Sequence, residues 1–164
     1  VFRSSDGGNS WSVHRDGLNS NDVHGITSVP GKDGHLMATT NAGVCASSDY
    51  GATWGDLEVE RVFPWPYCRG LIWIGGRLIV GNGNGPPGDA GAIQYTDDGG
   101  ASWTAADLNA TPNSTVWDFC QSRNDRATVY AYTVSGQIYR SLDRGQQWVK
   151  LAREFGEIRA ILAL

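Results

Sequence analysis

The side chains best suited to bind a ligand lie in four separate strand-like segments of this 164-residue chain. When the segments are aligned with one another, His24, Arg69, Trp117 and Arg159 fall at one equivalent position. A guanidinium group binds carboxylates, and an aromatic ring offers a flat apolar face. The four residues therefore predict a site for an anionic or sugar-like ligand, unless they only hydrogen-bond neighbouring segments and fill the space between them.

Three carboxylates near the same position are candidates for catalysis. Asp22 and Glu157 lie two residues upstream of it, at a position shared with Tyr67 and Thr115, and Asp118 lies one residue downstream. A glycosidase needs two carboxyl groups about 5 Å or about 6.5–9.5 Å apart, depending on its stereochemistry. The sequence does not give these separations, so catalysis by Asp22, Asp118 or Glu157 stays an open alternative.

The segment "EVERVFPWPYCRG" (residues 58–70) alternates aromatic residues with prolines. Phe63, Trp65 and Tyr67 would form a stiff aromatic edge on the face that carries the ligand-binding candidates, because proline restricts the backbone between them. The edge would hold a glycan or a protein. The alternative is that it packs over a gap between neighbouring sheets.

The glycine-rich segment "GNGNGPPGDAGA" (residues 81–92) is interpreted as a loop between two strands. Asn82, Asn84 and Asp89 would reach the ligand face from it. No helix pattern follows the segment and no Lys-Ser/Thr pair ends it, so it does not fit a phosphate-binding loop. The sequence predicts no cofactor.

Composition excludes several classes of function. The net charge is −4 with 18% charged residues of both signs, so no basic surface for nucleic acid is expected. No apolar run approaches the roughly 18 residues of a membrane-spanning segment. Cys45, Cys68 and Cys120 are far apart and fit buried free thiols better than a metal site. The chain begins without methionine, so its natural start and its compartment are left open.

The elements that would position these residues come from a fourfold repeat, Ser/Thr-x-Asp-x-Gly-x-x-Trp. Its tryptophans are 43, 49 and 45 residues apart, a spacing typical of four-stranded propeller blades. The Asp is expected to accept backbone N–H groups about two residues ahead, the Gly to take a positive φ, and the Trp to pack against the next sheet. The repeated residues are Ser4, Asp6, Gly8, Trp11, Ser47, Asp49, Gly51, Trp54, Thr96, Asp98, Gly100, Trp103, Ser141, Asp143, Gly145 and Trp148.

With these four copies, the chain resembles the Asp-box proteins, also called BNR (bacterial neuraminidase repeat) proteins. The resemblance implies an all-β fold, a β-propeller of four-stranded antiparallel blades with the box in the hairpin between the third and fourth strands. It also implies that the boxes are structural and lie on the rim opposite the ligand face. About 15 strands, or about 3.5–4 blades, are expected in units near 1–18, 23–58, 68–106, 115–152 and 157–164, the last as a first strand.

The family includes sialidases, xyloglucan-active glycosidases, sortilin-type receptors and photosystem II assembly factors, so the resemblance does not decide between enzyme and binding module. Sialidases use three arginines on the substrate carboxylate, a Tyr nucleophile assisted by a Glu, and an Asp acid/base. Here the channel has only Arg69 and Arg159, and the Arg-Ile-Pro motif that usually precedes the first box is missing.

The sequence therefore favours a non-catalytic scaffold or recognition module that binds a protein or glycan through His24, Arg69, Trp117, Arg159 and the Phe63–Tyr67 segment. The alternative is a sialidase-like or xyloglucanase-like glycoside hydrolase whose active site lies partly outside this chain. Propellers with this motif usually have about six to eight blades. Three arrangements stay open: further blades of a longer protein, a homodimer that completes the ring, or a strained four-bladed ring.

Overall fold

Fifteen strands in four separate sheets make up nearly all regular structure in the computed structural model, which describes residues 1–164. The partial blade contains β1 (Phe2–Arg3) and β2 (Ser12–Val13). Blade 1 contains β3 (Val23–Ser28), β4 (Leu36–Thr40), β5 (Gly43–Ser47) and β6 (Gly55–Asp56). Blade 2 contains β7 (Tyr67–Ile74), β8 (Arg77–Gly83), β9 (Gly91–Thr96) and β10 (Thr104–Ala105). Blade 3 contains β12 (Val116–Gln121), β13 (Val129–Thr133), β14 (Ile138–Ser141) and β15 (Gln147–Lys150).

Each full blade is an antiparallel meander in which consecutive strands pair with one another. The middle strands are buried on both faces, and in β8 the run from Leu78 to Gly83 is wholly buried. The outermost strands β6 and β10 are two residues long and exposed. This gradient is expected for sheets stacked face to face around an axis, because only the middle of each sheet is covered on both sides.

The core consists of three apolar clusters, each lying between consecutive sheets. The largest joins blades 2 and 3, and its main members are Ile74, Ile79, Ile93, Phe119, Val129, Ala131, Tyr139 and Trp148. A second cluster joins blades 1 and 2 through residues such as Val44, Phe63 and Val80. The third joins the partial blade to blade 1 around Trp54. The all-β propeller arrangement predicted from the repeats is confirmed.

The four boxes form the hairpins between the third and fourth strands with one shared hydrogen-bond pattern. The Ser or Thr hydroxyl donates to Asp Oδ1 at 2.7–2.8 Å and accepts the N–H of the box Gly at 2.8–2.9 Å. The Asp accepts the N–H of the residue four positions ahead at 2.9–3.1 Å, not two as expected. The Ser/Thr hydroxyl takes up the nearer N–H groups, which leaves the longer-range donor to the carboxylate. The box glycines have φ between +78° and +97°, as expected.

The box tryptophans pack against the preceding sheet. Trp148 and Trp54 are 1% and 6% exposed, whereas Trp11 is 64% exposed because no sheet covers its side of the partial blade. The indole N–H groups of Trp11 and Trp148 donate to the carbonyl of their own box Gly. Those of Trp54 and Trp103 are buried without a partner.

Two features of the strand arrangement differ from the sequence expectation. Residues 157–164 form no strand, because a first strand pairs with the second strand of its own blade and no segment of this chain supplies one. They lie beside blade 3, where the Ile158 N–H donates to the Val134 carbonyl. The additional strand β11 (Asp107–Leu108) pairs in parallel with β15 and so ties the end of blade 2 to the outer edge of blade 3.

The structure contains no helix long and apolar enough to cross a membrane. Its only helix is a single 3-10 turn, Val59–Arg61. Cys45 and Cys68 are buried free thiols, and Cys120 is a half-buried free thiol.

Candidate functional site

The first strands of the three full blades carry the candidate residues at equivalent bulges. The pairing register shifts between Val23 and Gly25, between Cys68 and Leu71, and between Val116 and Asp118. His24 and Trp117 are thus left out of the ladder in β3 and β12, and Arg69 is left out together with Gly70 in β7. A bulge changes the direction of a side chain, and bulges are common beside functional sites.

These bulges lie at the end of each blade opposite the box. In blade 1, Ser28 pairs with Leu36 and Leu36 pairs with Ser47, which begins the box, so the box lies where β3 ends. His24 lies near the start of β3. The boxes therefore occupy one rim, and the three bulges occupy the other.

Arg69 and Trp117 form the centre of the site. The guanidinium carbon of Arg69 is 3.8 Å from the centre of the Trp117 ring, a cation–π contact between β7 and β12. Nη1 of Arg69 also donates to the hydroxyl of Tyr67 at 3.4 Å. No carboxylate lies within ion-pair distance of Arg69. Most N–H donors of this half-buried guanidinium are therefore oriented by its neighbours but have no protein partner.

His24 is held in place by three neighbours. Its Nδ1 donates to the Cys68 carbonyl at 2.6 Å, across the gap between blades 1 and 2. Its Nε2 is 3.2 Å from Oδ2 of Asp22, and its ring is 4.9 Å from that of Tyr67. The His24 side chain is 5% exposed, so it forms part of the wall and offers little surface of its own.

Arg159 enters the site from the segment after blade 3 and forms an exposed ion pair with Glu157. The Tyr132 hydroxyl donates to the Arg159 carbonyl at 2.8 Å, which fastens this segment to β13. Tyr132 pairs with Asp118 in the ladder and is a site residue that the sequence reasoning missed. The sequence "TVYAYT" contained a signal for Tyr132, because tyrosine at every second position places Tyr130 and Tyr132 on one face of the strand.

Asp118 is the one carboxylate that lines the same cavity as Arg69. Desolvation by the surrounding protein raises its pKa, opposed by the Phe119 N–H and by the charge of Arg69. Burial also raises the pKa of Tyr132, with the charge of Asp118 adding to the shift. The side chain of Asp118 is still open to solvent, because it lies on the wall of a concave surface.

Two open cavities meet at Trp117 and Arg159. The first, about 350 Å³, is also lined by His24, Arg69, Asp118 and Tyr132. The second, about 640 Å³, is also lined by Pro86, Pro87, Val134, Ser135, Gly156 and Glu157. The structure thus brings His24, Arg69, Trp117 and Arg159 together around one cavity. It does not bring Asp22, Asp118 and Glu157 together, since each of the two cavities has a single carboxylate and Asp22 lines neither.

The Phe63–Tyr67 segment does not form one aromatic edge. Phe63 is 5% exposed and packs edge-on against Trp103 at 4.9 Å, inside the cluster between blades 1 and 2. The Phe63 N–H donates to the Val59 carbonyl, so the segment begins with a helical turn that points both side chains inward. Trp65 is half-buried, and only its carbonyl makes a hydrogen bond, to Asn82. Tyr67 alone joins the site, through His24 and Arg69.

The glycine-rich loop contributes prolines to the site instead of the expected polar side chains. Asn82 is fully buried in β8. The Asn84 amide donates to Asp89 at 2.6 Å, which closes the loop on itself. The loop is fixed to blade 3 by the Thr115 hydroxyl, which donates to the Gly85 carbonyl at 2.5 Å. Pro86 and Pro87 therefore line the larger cavity, and their position depends on this contact with the residue that precedes β12.

Comparison with known proteins identifies the repeat and the fold. The family model for the BNR/Asp-box repeat matches residues 94–105, which contain the third box. A search of curated protein sequences found no match. The third box is therefore a BNR/Asp-box repeat, and the other three copies share its residue pattern.

GH74 enzymes and YCF48, which are β-propeller proteins, are among the solved structures that resemble the chain. An ancestral GH74 enzyme matches with a TM-score of 0.73 and 19% identity over 93% of this chain. The GH74 enzyme of Niastella koreensis matches with a TM-score of 0.68 and 15% identity over 91% of this chain. The structure of YCF48 bound to the D1 peptide matches with a TM-score of 0.61 and 19% identity over 87% of this chain. At these identities the likeness establishes the fold, and the chain spans 21%, 26% and 47% of those proteins, respectively.

Proposed function

We propose that this Asp-box propeller chain is a non-catalytic recognition module that binds a protein or glycan on the face opposite the boxes. The observation that carries the proposal is the Arg69 guanidinium, stacked on Trp117 and without a carboxylate partner, in an open cavity. A half-buried charge without a partner costs free energy, so such groups are concentrated where a ligand supplies the partner.

Further features support recognition at this place. The three equivalent bulges direct His24, Arg69 and Trp117 to one face, and the boxes stabilise the opposite rim. His24, Arg69 and Trp117 lie on β-strands, which lowers the entropy that these side chains lose on binding. One similar propeller, YCF48, is known in complex with a peptide, which is consistent with a protein ligand here.

A glycoside hydrolase is the second candidate, and Asp118 is the observation that favours it. A general acid needs a raised pKa, and the pKa of Asp118 is raised within a cavity. The GH74 enzymes also share the fold. Against this candidate, hydrolysis needs a second carboxylate across the bond, while Glu157 is paired with Arg159 and Asp22 contacts His24.

Binding arrays test the proposal. The protein is applied to printed peptide and glycan arrays, together with Arg69→Ala, Trp117→Ala and the control Arg123→Ala. Arg123 is exposed in the turn between β12 and β13, at the box end of blade 3. We expect the two site variants to weaken binding of the selected ligand by about 10- to 100-fold, since each removes a charged or aromatic contact, and the control to leave it unchanged.

Equal binding by Arg69→Ala, Trp117→Ala and the unaltered protein would place the ligand elsewhere and contradict the proposal. Turnover is measured in parallel with fluorogenic sialosides and β-glucans. Turnover that Asp118→Asn or Glu157→Gln abolishes would favour the hydrolase.

A further inference from the structure

The two cavities that meet at Trp117 and Arg159 differ in chemistry. The arginine compartment, defined by Arg69, His24, Asp118 and Tyr132, is polar and contains the unpaired guanidinium. The proline compartment is walled by Pro86, Pro87 and Val134, with Ser135 and the Glu157–Arg159 ion pair also in its lining. One continuous ligand could therefore occupy both compartments, and it would need two different kinds of group.

Arg69 determines what the arginine compartment accepts. A guanidinium has five N–H donors in a fixed plane. Only the bond to Tyr67 uses one of them, and the stacking on Trp117 fixes the plane. The matching group is a carboxylate, which accepts two parallel N–H bonds. A neutral ligand would accept hydrogen bonds through carbonyl or hydroxyl oxygens but would leave the charge of the guanidinium uncompensated.

Trp117 determines what the proline compartment accepts. Arg69 covers one face of the ring at 3.8 Å and does not line the proline compartment, whereas Trp117 lines both. The part of the ring in the proline compartment is therefore one that Arg69 leaves open. Together with Pro86, Pro87 and Val134 it offers a flat apolar surface, which suits a proline ring or an aromatic side chain.

Resting on the proposed function, we infer that the ligand is an extended peptide with an acidic residue close in sequence to a proline or aromatic residue. The carboxylate binds Arg69, and the ring lies in the proline compartment. An extended peptide rises about 3.1–3.4 Å per residue. Because the two compartments share the Trp117 ring, the two anchors are expected about two to four positions apart.

Charge favours this occupant over a neutral glycan. The carboxylates of the site, Asp118 and Glu157, line different compartments, and Glu157 already has Arg159 as its partner. The net demand for an anion is therefore concentrated at Arg69. A single acidic residue in an otherwise uncharged peptide satisfies it without bringing further negative charge near Asp118.

Rhodamine-labelled peptides test the inference by fluorescence anisotropy. Each peptide has one Glu and one Trp separated by about one to three Ala residues, with capped ends. Companion peptides have Gln in place of Glu, or Ala in place of Trp. We expect the best spacing to bind at least about tenfold more tightly than either companion, since each companion lacks one anchor.

A double-mutant cycle assigns the carboxylate to Arg69. Arg69→Ala should weaken binding of the Glu peptide about tenfold and change binding of the Gln peptide less than about twofold. Arg69→Lys retains the charge without the planar pair of donors, so its affinity for the Glu peptide should lie between those of the unaltered protein and Arg69→Ala. Arg123→Ala should match the unaltered protein. Thermal unfolding of each variant separates loss of binding from loss of fold.

Equal affinity for the Glu and Gln peptides, or no peptide binding up to about 1 mM, would overturn the inference. If peptides fail in this way but Arg69→Ala and Trp117→Ala weaken binding of a glycan selected on the array, the proposed recognition function stands and only the peptide assignment fails. If these variants leave every array ligand unaffected, both fail.

Discussion

Arg69 is oriented before any ligand arrives. Its guanidinium lies on Trp117, its Nη1 contacts Tyr67, and its own carbonyl accepts the Thr39 hydroxyl at 2.5 Å, so both ends of the residue are fixed. Binding then costs little side-chain entropy, since the long chain is already ordered. The site is therefore built around a preorganised cation that forms no ion pair with a carboxylate.

The box aspartates predict how stability depends on pH. Hydrogen bonds from Ser10 lower the pKa of Asp6 to about 2, and those from Thr53 lower the pKa of Asp49 to about 2. A carboxyl whose pKa is lower in the folded state stabilises the fold above its unfolded pKa, near 4, and loses that contribution as the pH falls towards 2. Thermal unfolding measured between pH 6 and pH 2, a range of about four units, should show a steep decrease below about pH 4.

Asp49→Asn should make this decrease shallower and lower the unfolding temperature at neutral pH, because an amide cannot provide the same charged acceptor. Asp16→Asn is the matched control, since the Asp16 side chain makes no hydrogen bond. An identical pH profile for both variants would show that the box carboxylates do not contribute in this way.

The role of single residues was predictable only in part. Equivalent positions in a repeat have equivalent surroundings, so aligning the repeats brought His24, Arg69 and Trp117 together. The stacking of Arg69 on Trp117 and the contribution of Tyr132 depend on contacts between different blades. Such contacts leave no local pattern in the sequence.

Inner strands approach one another closely at the site, and glycines make this approach possible. A Cβ on Gly70 of β7 would lie 2.5 Å from the Asp118 Cα in β12. Gly70→Ala should therefore destabilise the protein by about 1–3 kcal/mol, because backbone must move to make room. Gly55→Ala is the control, since its nearest atom would be 4.0 Å away. Denaturant unfolding measures both, and equal stability of the two variants would contradict the close packing of blades 2 and 3.

The box tryptophans provide a second test at this scale. Trp148→Ala should cost about 3–5 kcal/mol, because the ring is 1% exposed and fills the cluster between blades 2 and 3. Trp11→Ala alters the same position of the same motif, but the ring is 64% exposed and the cost should stay below about 1 kcal/mol. Comparable losses of unfolding free energy for Trp148→Ala and Trp11→Ala, measured in urea, would mean that the tryptophan stabilises its own hairpin and not the contact between blades.

Element prediction succeeded where the box fixes the local backbone. The Ser/Thr, Asp and Gly types determine the hairpin, and the hairpin fixes the two strands that it joins. It failed for the Val59–Phe63 turn, although two apolar residues four positions apart are a helical signal. It also missed β11, whose pairing with β15 is a long-range contact that no local pattern encodes.

The protein as a whole has two rims of different construction. One rim has four hairpins held by a shared set of hydrogen bonds within each box, and the other has three bulges, two joined cavities and an arginine without an ion-pair partner. The chain covers 21% to 47% of the propellers compared above, and Phe2 and Leu164 are exposed. Its role is therefore best tested at the cavity that its own residues line.

Asp118→Asn provides the most direct test, because a recognition site and a hydrolytic site predict opposite results for it. The selected ligand is titrated against the unaltered protein and the variant, and turnover of β-glucan and sialoside substrates is measured alongside. We predict binding of an anionic ligand that is equal or tighter in the variant, since a negative charge near Arg69 is removed, and no turnover by either protein. Turnover by the unaltered protein that falls at least about 100-fold in Asp118→Asn would contradict the account.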